Sequence, residues 1–348
     1  MKVAIITDQH FGCRKNSKLF HDYFLKFYND IFFPYLEEHG IITIVDMGDT
    51  FDSRKGVDFW SLKWAKENYY GVLRDMGITV HTIVGNHTAY YKDANSVNSV
   101  DLLLREYDNI RIYSNPTEIE LDGLKMLMLP WINDSNRKES MDMVRGTDAK
   151  VVFSHLEMAG FYANRTFVNE HGEDKKNFSQ FEKVFSGHYH HRNSQDNVYY
   201  LGNPYEMYWH DVDDTRGFHI FDTTTLDHKP INNPFKLFHI IRYNDTPWQT
   251  FNASKYENKI VKLIVETKSD LKSFENFIDA LYQAGVNDLK IVENYNFSGF
   301  YQSEDIDEEH ENTLSILNRY IQEAEIKLDK SKVQNIMRQT YQEACELI

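Results

Sequence analysis

Five short apolar runs in the first two thirds of the chain each stop at residues that bind metal through oxygen or nitrogen. Residues 3–7 run into Asp8-Gln9-His10, and residues 41–45 lead to Gly48-Asp49-Thr50-Phe51-Asp52. Residues 80–84 end at Gly85-Asn86-His87, residues 151–153 reach His155, and residues 183–185 end at Gly187-His188-Tyr189-His190. Carboxylate, amide oxygen and imidazole without thiolate suit a hard or borderline divalent ion such as Mn²⁺, with Mg²⁺ as the alternative, over a structural zinc cage. Asp49, with two carboxylate oxygens, is the residue suited to bridging two ions. Two ions roughly 3.5–4 Å apart activate water and stabilise the attacking and leaving oxygens of an in-line phosphoryl displacement. Each motif alone is weak: Asp-x-His recurs by chance, Gly-Asp and Gly-Asn are ordinary turn chemistry, and single histidines usually serve the surface or the core. Five in order, each directly after a strand, carry the reading.

The elements that must bring these residues together alternate. Strand patterns at 3–7, 41–45 and 79–84 are separated by helical patterns at 17–39 and 57–76, with another near 99–106. In the first helix Leu19, Phe20, Tyr23, Phe24, Phe27, Ile31 and Tyr35 recur at helical spacing, and Gly40 stops it; Gly77 closes the second. Further short strands are expected at 126–129, 150–153, 183–185, 198–201 and 217–221. In such a layered α/β fold the loops at the carboxyl ends of strands converge on one crevice. After about residue 225, Pro230, Pro234 and Pro247 punctuate a polar stretch that reads as an exit from the first domain. Residues 259–266, 270–283 and 288–293 read as a strand–helix–strand unit. An acidic linker containing residues 304–311 follows, then two amphipathic helical patterns at 313–328 and 331–347.

Composition sets limits. The 348 residues suffice for one large domain and one or two small ones. No apolar run approaches the roughly 20 residues that span a bilayer. Cys13 and Cys345 are the only cysteines, which excludes a disulfide framework and suits a reducing cytoplasm. The opening residues form a strand that meets Asp8 at once, so no signal peptide is read there. The formal net charge of −15 runs against a stand-alone DNA binder, which normally carries a basic stripe. Metal ions, local cations or a partner must then supply the positive field. Arg14, Lys15, Arg54, Lys55 and Lys92 lie near the motifs and suit either phosphate contact or plain solvation.

Taken in this order, the motifs resemble the calcineurin-like metallophosphoesterase superfamily across residues 1–225. The stretches Gly48-Asp-Thr-Phe-Asp-Ser-Arg-Lys55, Ile83-Val-Gly-Asn-His87, Leu129-Pro-Trp131 and Tyr200-Leu-Gly-Asn-Pro204 resemble the meiotic-recombination-eleven or SbcD type. That type is the nuclease subunit of double-strand-break repair complexes, and the short form resembles the phage recombination endonuclease subunit. The resemblance implies one ion held by Asp8, His10, Asp49 and His190, and a second held by Asp49, Asn86, His155 and His188. It gives His87 the transition-state role of protonating or stabilising the leaving oxygen, and sets Asp52 beside the substrate phosphate, where a turn or cap is the equal alternative. Thr88 departs from the family, which places an acidic residue there to orient the histidine and raise its pKa.

The expected architecture is therefore α/β: a layered metallophosphoesterase β-sandwich flanked by helices (residues 1–230), a small α/β capping domain that orients DNA (231–300), and a C-terminal helical hairpin (301–348). The hairpin docks an ATPase partner or packs on its own chain. The implied function is a Mn-dependent DNA nuclease, exonucleolytic on duplex ends and endonucleolytic on single strands. It would act with an SMC-like, coiled-coil ATPase in break repair, recombination and replication, as a homodimer in the cytoplasm (the host's, if phage-encoded) with no membrane partner. The rivals are a metallophosphoesterase for small esters or phosphoproteins, and a non-catalytic scaffold anchoring an ATPase on DNA.

Overall fold

The computed structural model describes residues 1–165 and 167–293, with positions 320, 321, 330, 333 and 334. The chain divides into two compact units, Met1–Val292 and Glu293–Ile348, and the sheets and the candidate site lie in the first. The expected acidic linker, and the C-terminal hairpin apart from those five positions, fall outside the described residues.

Strands β1 (Lys2–Ile6), β2 (Thr43–Asp46), β3 (Thr79–Ile83) and β4 (Ile110–Tyr113) come first. They are followed by β5 (Thr117–Leu121), β6 (Leu124–Leu129), β7 (Val151–Ser154), and a ribbon of β8 (Tyr162–Asn164) and β9 (Phe167–Val168). Next are β10 (Lys183–Ser186), β11 (Asn193–Gln195), β12 (Val198–Tyr200), β13 (Gly217–Asp222) and β14 (His228–Asn232). The last are β15 (Phe238–Arg242), β16 (Ile260–Val265) and β17 (Asp288–Glu293). Two six-stranded sheets form, in the orders β14-β13-β1-β2-β3-β4 and β11-β12-β10-β7-β6-β5. In the first, β1 to β4 are parallel and β13 and β14 run antiparallel to their neighbours. In the second, β6, β7, β10 and β12 are parallel.

Side-chain alternation along the strands assigns each face its neighbour. Val3, Ile5, Val45 and Ile83 of the first sheet pack with Met126, Met128, Val151, Phe153 and Phe185 of the second, making the dry centre of a sandwich. Ala4, Ile6, Ile44 and Val80 face the other way, onto an aromatic layer of Phe20, Phe24, Phe27, Tyr28, Trp64 and Tyr69 from the helices at residues 18–38 and 59–75. Leu127, Leu129, Val152 and Val184 pack on the opposite outer layer, which includes the helix Arg137–Gly146. Burying each such aliphatic side chain contributes about 1.5–3 kcal/mol, so the four layers fix the strand ends.

Both long helices contain a π-helical turn, and each has a local cause. Tyr28–Phe32 is wide just ahead of Pro34, whose ring clashes with the carbonyl four residues back. Lys66–Tyr70 ends at Gly71, where a Cβ would lie 2.7 Å from the carbonyl oxygen of Lys66. The second helix starts at Asp58, whose carboxylate accepts from the Trp60 and Ser61 amides.

The stretch expected as a proline-punctuated exit contains two strands. Pro230 sits in β14, an edge strand, where the missing N–H is tolerated. Phe238–Arg242 pairs in parallel with β16, so the small sheet has the order β15-β16-β17. The helix Leu271–Gln283 covers it through Phe274, Phe277 and Leu281, giving this unit its own core with Val261, Leu263 and Val265.

Candidate metal centre

Five parallel strands deliver the candidate ligands, three from one sheet and two from the other. Asp8 and His10 follow β1, Asp49 follows β2, Asn86 and His87 follow β3, His155 follows β7, and His188 and His190 follow β10. The strand-end loops are stitched together by backbone bonds: the Asp8 amide donates to Gly48 O at 3.0 Å, and the His10 amide to Asp49 O at 2.9 Å. Across the sandwich, the Trp131 amide donates to Val84 O at 2.8 Å. Asp8, His10, Asp49 and His188 all have positive φ, between 48° and 83°. Non-glycine residues adopt that region at a cost, and such costs concentrate where function requires a particular side-chain aim. Gly85 and Gly187 are needed for close approach. A Cβ on Gly85 would lie 2.1 Å from Asp49 Oδ1, and one on Gly187 2.1 Å from Thr7 Oγ1.

All seven candidate ligands meet. Ligand atoms of Asp8, His10 and His190 lie within 4.8 Å of one another, as do those of Asp49, His155 and His188. Asn86 Oδ1 is 2.9 Å from His155 Nε2 and 2.8 Å from His188 Nδ1. Asp49 Oδ2 is 3.0 Å from His155 Nε2, and Asp49 Oδ1 accepts from the His87 amide at 2.8 Å. His10 Nε2 and His190 Nε2 face each other at 3.2 Å.

The outer atoms of these rings are tied down. His155 Nδ1 contacts Met47 O at 2.7 Å, and His10 Nδ1 contacts the Asp52 carboxylate at 3.0 Å. Bonds of this kind fix the tautomer and turn the other nitrogen inward. Asp52 serves twice, because its backbone carbonyl contacts His87 Nδ1 at 2.6 Å. Thr88 does not face His87. Its buried hydroxyl accepts from the Gly85 amide and donates to the Gly85 carbonyl, so orientation of His87 comes from Asp52.

The donor set fits a divalent cation on a test of lone pairs. With Nδ1 of His155 donating to Met47 O, its Nε2 points a lone pair at two oxygens, Asp49 Oδ2 and Asn86 Oδ1. Either extra protons or cations must resolve it. In the protein alone the protons do so. Burial would lower His155, yet Asp49 and Asp8 hold it up at about 9. Burial raises Asp8 above the usual carboxylate range. It also pushes Asp49 upward, but His155 and His87 outweigh it and hold that carboxyl well below its ordinary value. His190 is driven well below the usual imidazole value by burial, then by His10 and Arg216.

Several supporting residues carry no motif of their own. Asp46, fully buried, accepts from Gln9 Nε2, Thr50 Oγ1 and the Gly48 amide, and burial lifts it to about 7. Gln9 in turn accepts from Tyr28 OH at 2.5 Å. The position of Asp46 at the end of a mostly apolar, buried run was the available signal. Arg216, which reaches the His190 carbonyl from a later segment, and its partner Asp211 have no sequence signal of that kind.

Residues 1–192 match the family described as calcineurin-like phosphoesterase. The chain is similar to exonuclease subunit 1 of Enterobacteria phage T4, with 29% identity over 333 residues, 92% of each chain. Among solved structures it is similar to a novel archaeal phosphodiesterase, at 14% identity and TM-score 0.35, covering 67% of this chain and 100% of that one. It is also similar to a dimetal phosphatase from Danio rerio, at 11% identity and TM-score 0.36, covering 63% of this chain and 91% of that one. Among the described residues no helix is long and apolar enough to cross a membrane.

Proposed function

Because the chain belongs to the calcineurin-like phosphoesterase family, we propose that it is a two-metal DNA nuclease, the catalytic subunit of a complex with a coiled-coil ATPase. The observation that carries this reading is the convergence of seven oxygen and nitrogen ligands, with His155 Nε2 set against two oxygens. Similarity to an exonuclease subunit along nearly the whole chain supports DNA as the substrate and a subunit as the mode of action.

In this reading Asp8, His10, Asp49 and His190 hold one ion, and Asp49, Asn86, His155 and His188 the other, with Mn²⁺ the fitting metal and Mg²⁺ the alternative. The ions supply activation of water and neutralisation of charge on the phosphoryl group. The chain's own residues do the rest. Asp52 fixes His10 through its carboxylate and His87 through its carbonyl, and His87 holds a proton for the departing sugar oxygen. Asp52 also borders the scissile phosphate. Lys15 and Lys55, both exposed, and Arg14 and Arg54 meet the DNA backbone locally, while the acidic remainder of the surface makes the partner necessary for tight binding. The small sheet with its helix, within residues 231–300, orients DNA, and residues 301–348 dock the ATPase. Phe59 and Leu102, 88% and 69% exposed, lie on two helical segments bridged by the Lys66–Glu106 ion pair, and support pairing of two copies there.

The test is hydrolysis of end-labelled linear duplex DNA with Mn²⁺, beside a small phosphodiester and the Asp49→Ala variant. DNA degradation that falls about a thousandfold or more in the variant is expected, since both ion positions lose a shared ligand. Hydrolysis of the small ester alone, with or without the ATPase subunit, would sink the nuclease reading.

A further inference from the structure

We propose that Arg216 is the positioning residue for His190, setting how tightly the half of the centre formed by Asp8, His10 and His190 holds its cation. The proposal rests on the two-metal reading above. Arg216 is only 3% exposed, and its guanidinium reaches four oxygens. Nη1 donates to the His190 carbonyl and to Asn203 Oδ1. Nη2 donates to Asp211 Oδ1 at 2.8 Å and Asp214 Oδ2 at 2.9 Å. A planar fork can span four acceptors; a single ammonium cannot.

The acceptors lead back to the same histidine by a second route. The other oxygen of Asp211 accepts from the Met207 and Tyr208 amides at 2.7 and 3.0 Å. That places the Tyr208 ring nearly parallel to the His190 ring, 6.0 Å between centroids at 27°. Arg14 covers Tyr208 at 4.6 Å and donates to Met207 O. Asp214 Oδ2 also contacts His191 Nδ1 at 2.7 Å. His190 therefore has its carbonyl, its ring face and its neighbour all held by one buried network.

The network matters because His190 has no sheet to hold it. Residues 187–192 lie between β10 and β11, outside any strand. His155, by contrast, follows directly on β7 and is tied to the Met47 carbonyl. Loss of the groups that orient a metal-ligating histidine typically weakens metal binding about 10–100-fold.

The experiment is calorimetric titration of metal-stripped protein with Mn²⁺ alone, for wild type, Arg216→Lys, Tyr208→Leu and Glu173→Gln. Lysine keeps the buried charge and loses the fork. Tyr208 is half-buried, so its variant probes the ring contact without disturbing buried charge. Glu173→Gln breaks the ion pair between the buried Glu173 carboxylate and the exposed Arg137, neither of which is a candidate ligand. Two binding steps are expected in wild type and in Glu173→Gln. In Arg216→Lys one step should stay unchanged and the other weaken about 10–100-fold, with hydrolysis recovered at excess Mn²⁺. Tyr208→Leu should weaken that same step. Two unaltered steps in whichever of these two variants fold, or equal weakening in Glu173→Gln, would overturn the assignment. A wild type that binds no Mn²⁺ would overturn the metal reading itself and this inference with it.

Discussion

The half of the centre built on Asn86, His155 and His188 and the half built on Asp8, His10 and His190 are held by different means. His155 has a fully buried side chain, follows directly on a central strand and is tied to the backbone of the facing sheet at Met47. His190 keeps 12% of its side chain exposed, sits in a loop, and depends on Arg216, Asp211 and Tyr208 from a later segment of the chain. The first half is a product of sheet packing, the second of a polar loop network. Damage to the packing should therefore displace ligands outright, whereas damage to the network should only loosen one of them.

The largest effect expected on the packed half comes from one added methyl group. In Gly85→Ala the new Cβ would meet Asp49 Oδ1 at 2.1 Å and the Asp49 backbone nitrogen at 2.6 Å. A side-chain oxygen can swing aside, but a backbone nitrogen in a stitched loop cannot. Overpacking of this kind costs about 1–3 kcal/mol, and displacing Asp49 should lower hydrolysis about a hundredfold or more. Gly146→Ala is the matched control: nothing lies within 4 Å of its Cβ, and it should gain up to about 1 kcal/mol. Thermal melting and DNA hydrolysis measured on both variants would test this. A fully active Gly85→Ala would mean the packed half yields as readily as the loop half.

What was legible in the sequence follows the same division. Ligands that close a strand announce themselves, because a buried run ending in Gly-Asp, Gly-Asn-His or a lone His is visible as a pattern. Sandwich strands such as β1, β2 and β7 were readable for the same reason. β14 was not: its residues, His-Lys-Pro-Ile-Asn, show no apolar alternation because it is an exposed edge whose pairing is decided by β13. β15 was lost in the same polar stretch, since its partner β16 begins only at Ile260, well beyond its own end at Arg242. Arg216 was invisible because its meaning lies in four acceptors scattered between residues 190 and 214. Thr88 misled in the other direction. It stands where a carboxylate beside His87 was expected, yet it closes the turn at Gly85, while Asp52 supplies the contact.

A pH series sharpens the comparison by addressing protons instead of packing. In the metal-free protein His155 titrates at about 9, above the roughly 6.5 of an unfolded histidine. Its folded value is raised, so the stability it contributes is full below about pH 6.5 and is lost as pH climbs through 9. His190, held well below 6.5, contributes no loss in that window. Melting temperature of chelator-treated protein should therefore fall between pH 6.5 and 9. Mn²⁺ displaces the same proton, so its affinity should rise across that interval and widen the gap between loaded and stripped protein. Asp49→Asn, which removes the nearest anion raising His155, should flatten the slope. A melting temperature of stripped wild type that does not change over this range would contradict the proton held at His155.

The smallest catalytic effect should come from Thr88, which touches neither half. Its hydroxyl accepts from the Gly85 amide and donates to the Gly85 carbonyl, both at 3.0 Å, in a buried turn. Valine is close to isosteric but leaves that amide without its acceptor, a cost of about 1–3 kcal/mol. Thr88→Val should therefore lower the melting temperature while its pH–rate profile superimposes on wild type, because His87 takes its orientation from Asp52. Thr88→Ser, which keeps the hydroxyl, should restore most of the stability. A profile shifted by a full pH unit in the valine variant would show instead that position 88 governs the His87 proton. The departure from an acidic residue would then be a change in the chemistry, beyond its part in the turn.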